Sequence, residues 1–243
     1  MRRLRTTALL PALLLAAPCL AADPNAPVNP ADYKAPVRVA CVGDSITFGA
    51  GAGPHQSYPD QFGRMLGPHW QVRNFGVSGT TMLKDGDHPY WKTKQFQQAL
   101  DFRPDVVLIM LGTNDTKPQN WKHKDQYAAD YKDMVGRFAK LPSKPRIFVC
   151  LPPPVPGKGN YGINEEGVRE EMPQIKKIAA DEGAGLIDMH AALADHPELL
   201  PDRVHPNTEG ATLMAKAAYK ALTGKTYEGE VPAPGSKGKA RDR

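Results

Sequence analysis

"DVVLIMLGTND", residues 105–115, decides the fold. Six apolar residues run together from Val106 to Leu111, and the chain then breaks into glycine, threonine, asparagine and aspartate. A strand with one wet face alternates apolar and polar side chains. A near-continuous apolar run is the pattern of a central parallel strand covered by helices on both faces. Four shorter runs repeat the theme at 37–42 (VRVACV), 70–75 (WQVRNF), 145–151 (PRIFVCL) and 185–188 (GLID), giving five strand candidates with 105–111. Helical patterns separate and follow them at 57–66, 92–101, 125–140, 164–182 and 207–222. Asn164 and Asn207 stand as N-caps of the last two, and Glu165 and Glu166 complement the dipole of the first of these. Leu213, Ala217 and Leu222 fall roughly on one face of the last helix. Strands alternating with helices predict a three-layer α/β/α fold around a parallel sheet. Five strands predict the flavodoxin-like order 2-1-3-4-5, with ligands beyond the carboxyl ends of the strands.

The residues at those ends are chemically specific. The first strand runs into "GDSIT" (43–47), the second into "NFGVSGTT" (74–81) and the third into "LGTND" (111–115); "PDRVHPN" (201–207) precedes the last helix. A serine hydroxyl becomes a useful nucleophile when a neighbouring base takes its proton. Ser45 is the candidate nucleophile and His205 the candidate base. Asp202, three residues before His205, can orient the imidazole across a turn that Pro201 and Pro206 stiffen. A tetrahedral intermediate needs hydrogen-bond donors for its oxyanion. The backbone N–H groups of Ser45 and Gly79 and the side-chain amide of Asn114 are the candidates.

These four blocks, in this order, resemble the SGNH hydrolase superfamily, the GDSL esterases and lipases. "GDSIT" matches the first block through Ser45, "GVSG" the second through Gly79, "GTND" the third through Gly112 and Asn114, and "DRVH" the last through Asp202 and His205. The resemblance spans about Val37 to Leu222 and shows no departure at the five site positions. It implies metal-free ester hydrolysis with no cofactor. Ser45 is the implied nucleophile, Gly79 and Asn114 oxyanion donors, His205 the base and Asp202 its orienter. Between the blocks the chain looks most like secreted bacterial carbohydrate or sialate O-acetylesterase-like members.

Plainer readings exist for each residue. Ser45 and Asp44 can cap a helix, and Asn114 and Asp115 can close an Asx-turn. Asp44 is expected to bond its own turn. "DMH", residues 188–190, offers a rival pair in Asp188 and His190, and Asp195 and His196 read as surface turn residues. His55, His69, His88 and His123 lack metal-ligand spacing, so no catalytic metal is expected. "GAGAG", residues 49–53, lacks both a P-loop ending and a dinucleotide fingerprint and reads as a flexible rim.

Two loops, 82–96 and 116–127, should overhang the cleft. They are polar, and they carry Tyr90, Trp91 and Trp121, which suit a sugar whose C–H face packs on a ring. The same aromatics could instead pin the loops to the body. The expected substrate is an acylated small molecule or glycan, with acetyl as the acyl group. A lysophospholipase or thioesterase of the same superfamily is the nearest alternative, and a catalytically inactive carbohydrate-binding module is the alternative of another class.

The formal charge of +5 sits at the ends of the 243-residue chain. With residues 1–22 and 224–243 set aside, basic and acidic residues are equal in number, so no nucleic-acid partner is expected. Residues 1–22 read as a signal peptide, basic and then apolar, too short for a comfortable membrane span; this predicts a secreted or periplasmic protein. Cys19 would be discarded with that segment, because Pro18 before it fits lipoprotein processing poorly. Residues 23–36 read as an extended leader, 37–223 as the SGNH hydrolase domain and 224–243 as a disordered basic tail. Cys41 and Cys150 sit in strand-like runs whose strands are not neighbours in the expected order, so both are expected as buried free thiols.

Overall fold

A computed structural model of the chain describes residues 23–235; the expected signal peptide and the last eight residues of the tail lie outside the described residues. The elements are β1 (Val37–Gly43), α1 (Ser45–Phe48), α2 (Tyr58–Leu66), β2 (Trp70–Gly76), α3 (Lys94–Asp101), β3 (Val106–Met110), α4 (Pro118–Trp121), α5 (Tyr127–Ala139), β4 (Arg146–Leu151), α6 (Glu165–Glu182), β5 (Gly185–Asp188), α7 (Met189–Leu193) and α8 (Thr208–Thr223). All strand pairs are parallel and the order is β2-β1-β3-β4-β5, as the alternation of strands and helices predicts.

The pleat sorts the core into two layers. Val39 and Cys41 of β1, Leu108 of β3, and Cys150 of β4 face α2, α7 and α8, through Phe62, Leu193, Met214 and Ala218. Ala40, Val42, Val107, Ile109 and Val149 face the other way, onto Ala99 of α3, Tyr131 and Phe138 of α5, and Ile175 and Ile178 of α6. All five β3 residues are buried, which is why that strand shows no alternation. Cys41 and Cys150 are buried and unpaired, on strands separated by β3.

Both flanking segments pack on the domain. The leader crosses the sheet end, where the Arg146 guanidinium donates to the Pro24 and Ala26 carbonyls, and the Val28 amide donates to the Leu222 carbonyl at 2.7 Å. The first part of the expected disordered tail returns along α8. The Tyr227 ring lies 5.1 Å from that of Tyr219, and Val231 packs against the core. The composition of the tail suggested no periodic element, and its described residues, 224–235, form none beyond the end of α8; two apolar side chains suffice to seat this irregular stretch. Among the described residues no helix is long and apolar enough to cross a membrane.

Candidate active site

The β1 strand delivers Ser45. Gly43 closes the strand where a β-carbon would lie 2.6 Å from the Met110 carbonyl oxygen and against Thr47, so only glycine lets α1 tuck against the sheet. Asp44 then caps α1, its carboxylate accepting the Ile46 amide at 2.9 Å. Ser45 is the first residue of this single turn and is 8% exposed.

The segment before α8 brings the other two groups. One Asp202 carboxylate oxygen accepts the amides of Val204 (3.0 Å) and His205 (2.7 Å), folding its own turn. The second oxygen accepts Nδ1 of His205 at 2.7 Å. A carboxylate only accepts, so Nδ1 carries the proton and Nε2 is the acceptor. Nε2 lies 2.8 Å from Ser45 Oγ, which therefore donates to it. Burial raises the Asp202 carboxyl, but the bonds from the His205 ring and from the two amides outweigh this and hold its pKa below the ordinary value. Ser45 and His205, 160 residues apart, thus form one chain of hydrogen bonds with Asp202.

The ends of β2 and β3 close the other side. Gly79 takes φ +80° in the loop after β2, a conformation that favours glycine. Asn114 ties the two loops to the serine turn. Its Nδ2 donates to the Thr80 carbonyl at 3.1 Å and to the Asp44 carboxylate at 3.3 Å. Asp115, fully buried, accepts the amides of Met82 (2.9 Å) and Leu83 (2.7 Å). Its part is to hold the loop after β2 in place, which the sequence left undecided. Asn120 does the same further out, donating to the Asn114 carbonyl and to Asp87 and accepting the Asp87 amide. Burial pushes the Asp44 carboxyl up to about 6, against the Ile46 amide and the nearby charges of His205 and Lys117. It pushes Asp115 up to about 8, against the Leu83 and Met82 amides. Glu171, buried beside the Tyr127 hydroxyl behind Gly112, is pushed well above the ordinary carboxyl value by burial and by Asp115.

Each of the aromatics expected to contact substrate has a structural partner. Tyr90 is wholly buried and its hydroxyl donates to the Phe75 carbonyl at 2.7 Å, so its ring offers no face to a ligand. Trp91 donates to the Met82 carbonyl at 2.7 Å and lies under the Lys84 ammonium. Trp121 donates to Glu170 at 2.6 Å and packs edge-on to Tyr127. All three help to pin their loops, and the rings of Trp91 and Trp121 stay partly exposed. The rival pair is not formed: Asp188 caps α7 by accepting the Ala191 amide at 2.8 Å, while His190 pairs with Glu165 at 2.8 Å. His196 pairs with Glu198 on the surface. The glycine-rich rim packs on the histidine segment, where a β-carbon on Gly51 would meet His205 Cβ at 3.1 Å. Among the described residues no three histidine, cysteine, aspartate or glutamate side chains gather as a metal site requires.

One residue at the site carried no sequence signal. The Tyr161 hydroxyl donates to the Asp202 carboxylate at 3.3 Å, and its ring centroid is 5.8 Å from that of His205. No motif spacing singles it out; its contact with Asp202 exists only in three dimensions.

Residues 41–213 of the chain match the GDSL-like lipase/acylhydrolase family, a stretch that contains Ser45, Gly79, Asn114, Asp202 and His205. The chain belongs to that family. Within it, the chain is 36% identical over 214 residues to an acetylxylan esterase of Xylanibacter ruminicola. That match takes in 79% of this chain and 44% of the relative, so the GDSL-like chain spans less than half of that protein's length. Among solved structures, a carbohydrate acetylesterase from Sinorhizobium meliloti is similar with a TM-score of 0.59 at 21% identity, covering 75% of this chain and 96% of that one. A variant of an acetyl-xylooligosaccharide esterase from Geobacillus gives 0.60 at 23% identity, covering 78% and 95%. At these identities the likeness is one of fold.

Proposed function

We propose that this GDSL-like protein is a serine esterase that removes short acyl groups, acetyl above all, from carbohydrate. The observation that carries the reading is the hydrogen-bonded chain from Ser45 Oγ through His205 to Asp202, at 2.8 and 2.7 Å. The acetylxylan esterase relative supports the acyl group and the class of alcohol. In the proposed reaction Ser45 Oγ attacks the ester carbonyl while His205 Nε2 takes its proton. Asp202 stabilises the imidazolium that forms. The oxyanion is held by the amides of Ser45 and Gly79 and by Asn114 Nδ2, whose longer bond, the one to Asp44, is the one that gives way. As the tetrahedral intermediate collapses and the bond from the acyl carbon to the sugar oxygen breaks, the imidazolium gives its proton to that oxygen, which leaves as a hydroxyl. Water, activated by the same imidazole, then releases acetate from Ser45. Residues 1–22 are proposed to direct export, so that the enzyme meets its glycan outside the cytoplasm.

Ser45→Ala should lower kcat on p-nitrophenyl acetate by at least ~10⁴-fold; turnover near that of the unchanged protein would sink the mechanism. Comparing acetyl with octanoyl p-nitrophenyl esters tests the acyl preference, and faster turnover of octanoyl would point to a lysophospholipase or thioesterase instead.

A further inference from the structure

The fold leaves an unassigned aromatic face at the mouth of the site. Among the described residues the two large hydrophobic side chains that stand exposed are Phe48 (60%) and Tyr161 (57%). Phe48 ends α1, one turn after Ser45 and so on the same side of that helix. Tyr161 lies on the other flank, its ring 5.8 Å from the His205 ring and tilted 55° to it.

Tyr161 is held there by more than its own packing. Its φ is +54°, a region that β-carbon-bearing residues avoid. The neighbouring turn positions 159 and 162 have φ of +69° and +79° and are glycine, the residue such a turn selects. A bulky ring is present at 161 nonetheless, and the surroundings fix it. The Asn160 side chain accepts the Tyr161 amide at 2.9 Å and donates to the Asp202 carbonyl at 3.1 Å. Asn160 and Ile163 exchange backbone bonds of 3.1 and 2.7 Å. A β-carbon on Gly162 would touch Pro118 and Lys117 at 3.7 and 3.8 Å, so the turn also rests on the loop after β3. The Tyr161 hydroxyl then anchors the outer end of the ring to Asp202 at 3.3 Å. The result is a ring fastened at both ends with a face open to solvent, beside the imidazole that protonates the leaving alcohol.

Building on the proposed carbohydrate reading, we infer that Tyr161 is the platform on which the sugar ring bearing the ester stacks. A pyranose presents axial C–H groups on one face and hydroxyls around its edge. The face packs on an aromatic ring, and the edge remains free for water and for nearby polar groups. Because the platform lies beside His205, it holds the alcohol side of the ester and leaves the acyl side to the oxyanion donors. Tyr161 is therefore a specificity residue for the leaving group, and its contact with Asp202 couples that role to the triad.

The test compares two variants on two substrates, acetylated xylooligosaccharides and p-nitrophenyl acetate. Tyr161→Ala removes the ring, and Tyr161→Phe keeps the ring and removes the hydroxyl. The ratio of kcat/KM on the oligosaccharide to kcat/KM on the nitrophenyl ester should fall about tenfold in Tyr161→Ala, mainly through KM, and stay within about twofold in Tyr161→Phe. Equal loss on both substrates in Tyr161→Ala would overturn the platform and leave Tyr161 as a support for Asp202 alone. If the unchanged enzyme cleaves the nitrophenyl ester but releases no acetate from the oligosaccharides, the carbohydrate reading fails and the platform falls with it.

Discussion

On the side of the site built by the ends of β1, β2 and β3, the carboxyl groups of Asp44, Asp115 and Glu171 are closed off from solvent. On the side built by the segment before α8, the side chains of Asp202 and His205 remain 32% and 17% exposed. Burial raises the pKa of all three closed carboxyls, whereas hydrogen bonds lower that of Asp202. The difference follows the work each side does. The closed side keeps loops in register and, in the proposed cycle, holds the donors for the oxyanion, so its groups stay fixed and dry. The open side passes a proton to and fro in the proposed cycle, and Asp202 must stay ionised opposite the imidazolium.

The largest break in this contrast should come from the open side. Asp202→Asn keeps the shape but removes the anion and allows the wrong tautomer of His205, so kcat on p-nitrophenyl acetate should fall about 10⁴-fold. A loss under tenfold would show that the charge of Asp202 is dispensable. On the closed side, Asn114→Ala removes one proposed oxyanion donor, and kcat should fall about 10²–10³-fold with KM little changed. A rise in KM alone would place Asn114 in ground-state binding instead.

The smallest effect is one of pH on stability, and it runs in opposite directions on the two sides. Asp115 keeps its proton in the folded protein up to about 8, whereas its ordinary value is 3.8. Between those values the folded chain binds the extra proton, so stability falls as pH rises through that window. Asp202 behaves in reverse. Its folded pKa lies below the ordinary value, so its contribution is present above that value and lost as pH falls through the folded pKa. Urea denaturation across pH 3–9 should show Asp115→Asn flattening the decline on the neutral side and Asp202→Asn flattening the decline on the acid side. An unchanged neutral slope in Asp115→Asn would mean that Asp115 is ionised in the folded protein.

Much of this was legible in the chain. β3 announced itself because both of its faces are covered, and the period-free run VVLIM has no other economical explanation. The helix over Glu165–Glu182 was visible from its Asn164 cap and acidic first turn, and the side chain of Asn164 does accept the Gly167 amide. The one-turn helix α4 was missed, since four residues carry no period to detect. The structural partners of the loop aromatics were not legible for a different reason. Tyr90, Trp91 and Trp121 stand among polar residues, which in sequence looks like a wet surface, yet each has a specific backbone or carboxylate partner that only folding supplies.

The sequence by itself determined the parallel sheet, its strand order and the short polar blocks that end its strands. Those features rest on local rules: apolar runs must be covered, and turns need glycine, proline and small polar groups. The tertiary structure decided what each polar group faces. It put Ser45 within 2.8 Å of His205, gave His190 to Glu165, buried Asp115 beneath the loop after β2, and held Tyr161 against Asp202. Such pairings depend on the directions of side chains from separate elements, which sequence spacing does not encode. They are fixed only when the layers pack.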